Sequence, residues 1–257
     1  MSRQTDLEDA GYVVFPYDEG VAQWARAAEA AAHDVLADPD MQSKWWRHDK
    51  TWFVGVDALP TDATGAIGGV ALQGPWSDLV RPTVAWHKAQ LSVVRPGYPG
   101  RDPTESDAAH AFRRHRDAAH LDGLLPLGPQ KRRHLIEPHA FILGLPLNAV
   151  APGASPLVVW EGSHRMIREA FEEVFRGLEP RDWASVDVTE AYKAVRARVF
   201  EACPRRALPV LPGQAMLVHR LAIHGVAPWG NGAWSSGGQR MVAYFRPLLD
   251  DIGGWLG

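Results

Sequence analysis

His120 and Asp122, with Leu121 between them, pair an imidazole with a carboxylate at the spacing that a β-strand turns to one side. Both side chains would then enter one cavity, and a second histidine from another strand would complete a set of two histidines and one carboxylate. Three ligands on one face of an octahedral ion leave its other positions open. An oxygenase needs those positions to hold a cosubstrate and O2 side by side. The same spacing recurs at His115 and Asp117. There, Arg113, Arg114 and Arg116 mark a solvated helix, and a helix does not put residues two apart on one face. His120 has Ala118, Ala119 and Leu121 around it and a loop directly after Asp122, which favours the second pair.

For the distal histidine the candidates are His219 and His224, five apart, which a continuous strand would send to opposite sides. His224-Gly225 lies at a strand end before a Gly- and Ser-rich loop, where a ligand can approach, so His224 is preferred. His219 reads as a partly buried, hydrogen-bonded histidine. Downstream, Arg240 enters an apolar strand, a costly placement unless the guanidinium finds a partner. Its fork matches a carboxylate in two-point fashion, so it could bind the far carboxylate of 2-oxoglutarate. Arg246 has the same strand parity and competes for that role. Gln90 and Ser92 share a strand face that could also reach a cosubstrate. Trp45, Trp46, Trp52 and Trp86 could line a substrate pocket or simply fill the core. Arg132-Arg133-His134 reads as a solvated loop or a contact for an anionic substrate, and His164 as structural.

These residues need strands to hold them. Short strands are expected at 11–16, 51–56, 84–94, 140–147, 156–160, 214–219, 222–227 and 240–245, with Pro212-Gly213 a turn. A helix capped by Asp18 should run to about Leu36, burying Val21, Trp24, Ala25, Ala28 and Ala32 along one side. Further helices are expected at 108–119, 166–175 and 189–202. The order is α+β, mainly β: a sandwich or jelly-roll core over about 84–247, supported by 1–83, in a single domain over 1–257.

His120-Leu121-Asp122, then Trp160-Glu161-Gly162-Ser163-His164, then Pro212-Gly213, His224-Gly225 and Arg240 resemble, in order and spacing, the phytanoyl-CoA dioxygenase-like family. The similarity spans about Gln90 to Pro247. It implies a double-stranded β-helix (cupin-like) core with flanking helices, Fe(II) on His120, Asp122 and His224, 2-oxoglutarate anchored by Arg240, and O2 as oxidant. The implied reaction is hydroxylation of a small-molecule metabolite with release of succinate and CO2. Two departures stand out: Trp160-Glu161 replaces the usual apolar-Pro pair, and 229–238 is an insertion that leaves Arg240 and Arg246 both open as anchor. A cupin-like isomerase or hydrolase without 2-oxoglutarate, and a non-catalytic binding module, remain the alternatives.

Composition narrows the partners. A net charge of −3 over 257 residues provides no bulk field for nucleic acid or an acidic membrane surface. The single cysteine, Cys203, cannot form an internal disulfide. No apolar run is long enough to span a bilayer, and the first residues lack an apolar signal segment, so the expected location is the cytoplasm.

Overall fold

The computed structural model describes residues 3–80 and 86–257. Among the described residues are six α-helices, α1 (Arg3–Ala10), α2 (Glu19–Ala37), α3 (Pro39–Trp45), α4 (Asp107–His115), α5 (Ser163–Val174) and α6 (Thr189–Ala202). The twelve strands are β1 (Tyr12–Phe15), β2 (Trp46–Arg47), β3 (Trp52–Phe53), β4 (Gln90–Val94), β5 (Leu124–Leu127), β6 (Arg132–Leu135), β7 (Phe141–Pro146), β8 (Leu157–Trp160), β9 (Arg205–Leu208), β10 (Ala215–His219), β11 (His224–Val226) and β12 (Arg240–Phe245). None of the described helices is long and apolar enough to cross a membrane.

Seven strands form a major antiparallel sheet in the order β1-β10-β7-β12-β4-β3-β2, and three form a minor sheet, β11-β8-β9. Strand parity explains how they stack. In β12, Met241, Ala243 and Phe245 join a core with Trp24, Ala25 and Ala28 of α2. Val242 and Tyr244 point the other way and meet Leu157, Val159 and Leu208 of the minor sheet. The minor sheet's far face, with Val158 and Trp160, packs on Ile167 and Phe171 of α5 and Val195 and Val199 of α6. The layers therefore run helix, sheet, sheet, helices, a mainly-β α+β jelly roll.

Helix α2 is anchored where the sequence places it. The Asp18 carboxylate accepts from the Val21 N–H at 3.0 Å, and Val21, Trp24, Ala25, Ala28 and Ala32 are buried at helical spacing. The alanines let the helix lie close against the sheet. Trp24 donates from Nε1 to the Gly65 carbonyl at 2.9 Å, so its ring is buried without stranding a polar atom.

Several expected elements are shorter or new. The strand expected at 51–56 pairs only at Trp52–Phe53, because Gly55 turns to φ 45° and the chain leaves the ladder. The strand expected at 84–94 is paired only over Gln90–Val94, and residues 81–85 lie outside the described residues. Arg132, Arg133 and His134 are not in a loop: they form β6, paired with β5. Arg132 is held by Asp187 at 2.5 Å and Glu190 at 2.9 Å. Strand β9 was not expected, since Arg205, Arg206 and Ala207 are exposed and carry no apolar alternation.

Candidate metal centre

The segment carrying His120 and Asp122 is not a regular strand. Asp117 and Ala118 adopt positive φ (54° and 52°) and Gly123 follows at 87°, so only residue 120 pairs with a neighbour. That pairing is with His224: each backbone N–H donates to the other's carbonyl, at 2.8 and 3.1 Å. The two histidines are therefore placed opposite each other by backbone alone, with ring centroids 4.7 Å apart. Two glycines make this approach feasible. A Cβ on Gly225 would sit 2.2 Å from the Asp117 carbonyl oxygen, and one on Gly123 2.3 Å from that of Glu137.

Asp122 completes the group. Its Oδ1 is 3.1 Å from His120 Nε2 and its Oδ2 is 3.8 Å from His224 Nε2. One ligand atom from each of the three residues lies within 4.8 Å of the others. Ligands about 2.1 Å from a shared cation at right angles stand about 3 Å apart, so small side-chain rotations close the set around an ion. Ring orientation fits as well. His120 Nδ1 contacts the Ala118 carbonyl and His224 Nδ1 the Ala222 carbonyl, both at 3.0 Å. A carbonyl can only accept, so each Nδ1 carries a proton and His224 Nε2 keeps its lone pair. The Asp122 carboxylate also only accepts, and against burial it raises His120, so His120 Nε2 holds a proton that a cation would displace.

The electrostatics match. Burial opposes the charge on Asp122, but the His120 hydrogen bond and the charges of His224 and Arg246 outweigh it and hold the carboxyl well below its ordinary range. Burial, against the pull of Asp122, brings His224 down to about 4, which keeps the imidazole neutral at pH 7. His115 is exposed at the end of α4, and Asp117 is buried in a two-point ion pair with Arg205 at 2.7 Å on both oxygens. His219 accepts from the Leu221 N–H and lies beside His164 with its ring tilted by 43°, 4.9 Å between centroids. His164 contacts the Glu8 carbonyl, and neither ring approaches the centre.

The centre opens into a cavity of about 200 Å³ lined by Gln90, Ser92, Trp52, Tyr98, Tyr244 and Arg246, among others. Gln90 and Ser92 are thus brought to the centre's cavity, and so is Trp52, which donates to Ser92 Oγ at 3.1 Å. Trp45, Trp46 and Trp86 pack against the α2 core instead. Arg240 is 4% exposed at the start of β12 and is not in the wall of the metal cavity; it lines a separate small pocket with Asn148, Val150 and Val242, and only Tyr244 links it to the centre. Its Nη2 reaches the Tyr244 hydroxyl at 3.3 Å and its Nη1 is buried without a partner. Arg246, at the other end of the same strand face, puts Nη1 3.3 Å from Asp122 Oδ2. Asp117, weighed above only as a ligand candidate, pairs with Arg205, and Tyr98 joins the cavity wall; neither Arg205 nor Tyr98 was anticipated, because Asp117 and Arg205 are 88 residues apart and no local pattern joins them.

The architecture also matches solved structures. Over 97% of this chain and 88% of the other, it superposes on the non-haem α-ketoglutarate-dependent carbocyclase SnoK from nogalamycin biosynthesis, with a TM-score of 0.55 and 16% identity. The chain has the fold of a 2-oxoglutarate-dependent enzyme. Weaker matches include EctD from S. alaskensis, solved with 2-oxoglutarate and 5-hydroxyectoine (TM-score 0.44, 18% identity, 96% and 76% covered). HygX from Streptomyces hygroscopicus, solved with nickel and 2-oxoglutarate, gives 0.44 at 12% identity over 95% and 86%. No family model and no curated protein matches the sequence.

Proposed function

We propose that this chain is a single-domain Fe(II)- and 2-oxoglutarate-dependent oxygenase of the phytanoyl-CoA dioxygenase-like kind, hydroxylating a small-molecule metabolite. The observation that carries the proposal is the convergence of His120 Nε2, Asp122 and His224 Nε2 beside a cavity. Two imidazoles and one carboxylate, with both Nδ1 protons spent on carbonyls, suit a divalent transition metal. The orphaned Nη1 of buried Arg240 fits a cosubstrate carboxylate, since a buried guanidinium N–H left bare is costly.

Iron with the keto acid supplies the oxidising chemistry and the activation of O2. The chain's own residues hold and orient. His120, Asp122 and His224 would hold the metal, and Arg246 steadies Asp122 through Oδ2. Arg240 would receive the far carboxylate, with the Tyr244 hydroxyl, which does line the cavity, keeping its guanidinium in place. Gln90 and Ser92 offer polar contacts on the adjacent strand. Ile142, Leu157 and Val226 keep water from the reacting groups.

SnoK is named a carbocyclase, and one fold hosts many reactions, so hydroxylation is argued from the site and not from the fold. The test is succinate release from 2-oxoglutarate with Fe(II) and ascorbate. Wild-type protein should release succinate and Asp122→Ala should not. Equal release by the variant rejects the assignment.

A further inference from the structure

Arg240 begins β12 and Arg246 directly follows its last residue, Phe245, six residues on with the same parity, or about 20 Å between Cα atoms at strand rise. They cannot serve the same carboxylate. Resting on the reading above, a keto diacid chelated at the metal carries its second carboxylate away from the ion by the length of its carbon chain. Arg246 touches the metal ligand Asp122 itself, so it is too near the ion for that end, and Arg240 is the one set back. Arg246 therefore has another use.

Its setting says which. Its backbone is fixed on both sides: the Arg246 N–H donates to His87 Nε2 at 2.7 Å, and His139 Nδ1 donates to the Arg246 carbonyl at 2.8 Å. Its Nε is buried with no partner, and the side chain is 21% exposed where the metal cavity adjoins a second groove bounded by Glu137 and His139. Of the acidic and guanidinium groups lining the metal cavity, Asp117 is neutralised by Arg205 and Asp122 is committed to the metal. Arg246 alone, among the described residues of that lining, has a fixed charge with donors to spare. The neighbouring walls, Trp52, Val54, Ile142, Leu157 and Val226, are apolar or aromatic.

We infer that Arg246 is a substrate-recognition residue, and that the substrate is a small, mainly apolar molecule bearing one carboxylate, which docks on Arg246 beside the metal. A neutral analogue leaves the Arg246 donors unpaired in a partly desolvated site and is rejected for that reason.

The test uses full-length protein saturated with Ni(II) and 2-oxoglutarate, which does not turn over. Benzoate, 3-phenylpropionate and hexanoate are titrated, each beside its neutral amide, with binding read by calorimetry and tryptophan fluorescence. At least one acid should bind wild-type protein about 10-fold or more tighter than its amide. Arg246→Gln should erase that preference to within about 2-fold, Arg246→Lys should restore part of it, and in either variant 2-oxoglutarate affinity should fall less than in Arg240→Gln. Thermal unfolding of each variant checks that it is folded. Equal binding of acids and amides, binding of no acid, or a preference that survives in Arg246→Gln overturns the inference. So does a loss of 2-oxoglutarate binding in Arg246→Gln with none in Arg240→Gln. Failure of 2-oxoglutarate to bind the wild-type protein is a separate result that sinks the oxygenase reading.

Discussion

Replacing Arg240 by methionine separates what this side chain does for folding from what it does for a cosubstrate. Methionine keeps most of the apolar stem and removes the charge. Without cosubstrate, the wild-type guanidinium is 4% exposed, has one bond to Tyr244 and carries a bare Nη1–H. An unsatisfied buried donor costs about 1–3 kcal/mol, so its removal should leave the apo protein as stable or more stable, by up to that amount. With cosubstrate the sign reverses. Deleting one partner of a buried charged pair costs about 2–5 kcal/mol, which is roughly 30-fold to several-thousand-fold in affinity. Urea unfolding of apo protein and calorimetric titration of 2-oxoglutarate onto the Mn(II)-loaded protein measure the two halves. A variant that loses more than about 2 kcal/mol of apo stability while binding 2-oxoglutarate within about 2-fold of wild type would show that Arg240 is structural, and the reasoning would fail.

Other outcomes follow from the same geometry. Gly225→Ala places a Cβ against the Asp117 carbonyl at 2.2 Å. It should cost about 1–3 kcal/mol of stability in urea unfolding and weaken metal binding through the displaced His120 backbone; normal values in both assays would remove the close-approach argument. His219 is lowered to about 2, by burial first and then by the charges of His164 and Arg220. Its folded form refuses a proton that the unfolded chain accepts below pH 6.5, so stability should fall as pH drops from 7 to 5, by about 2 kcal/mol from this residue. His219→Asn should flatten the urea-measured pH dependence by that amount, and identical slopes would contradict it.

How much of this was legible beforehand depends on the range over which each feature is encoded. Helix α2 was readable because its cap and apolar stripe are local: Asp18, then Val21, Trp24, Ala25, Ala28 and Ala32. The jelly-roll core was readable from apolar runs such as Phe141–Pro146 and Arg240–Phe245, which pair directly as neighbours in the major sheet. The hairpin of β5 and β6 was not, because its half-buried arginines are charged and only the paired Leu124 and Leu135 at one end are buried, too few to make an apolar alternation. At the centre, the residue types and spacing of His120, Asp122 and His224 were visible, but the reason for their meeting was not. A strand was expected under His120 and Asp122, whereas the structure uses one backbone bridge to His224 and a loop bent by Asp117, Ala118 and Gly123. The Arg205 clamp on Asp117, which braces that loop, comes from an edge strand without a sequence signature. Likewise, strand parity put Arg240 and Arg246 on one face, but only the fold shows that one lies against Tyr244 and the other against Asp122.

The most direct measurement is anaerobic addition of Fe(II) and 2-oxoglutarate to the purified protein, followed by visible absorption. A keto acid chelated to iron on His120, Asp122 and His224 gives a charge-transfer band in wild-type protein, saturating at one iron per chain and missing from folded Asp122→Ala. A band of undiminished strength in that variant, or no band in the wild type with both components in excess, would contradict the account.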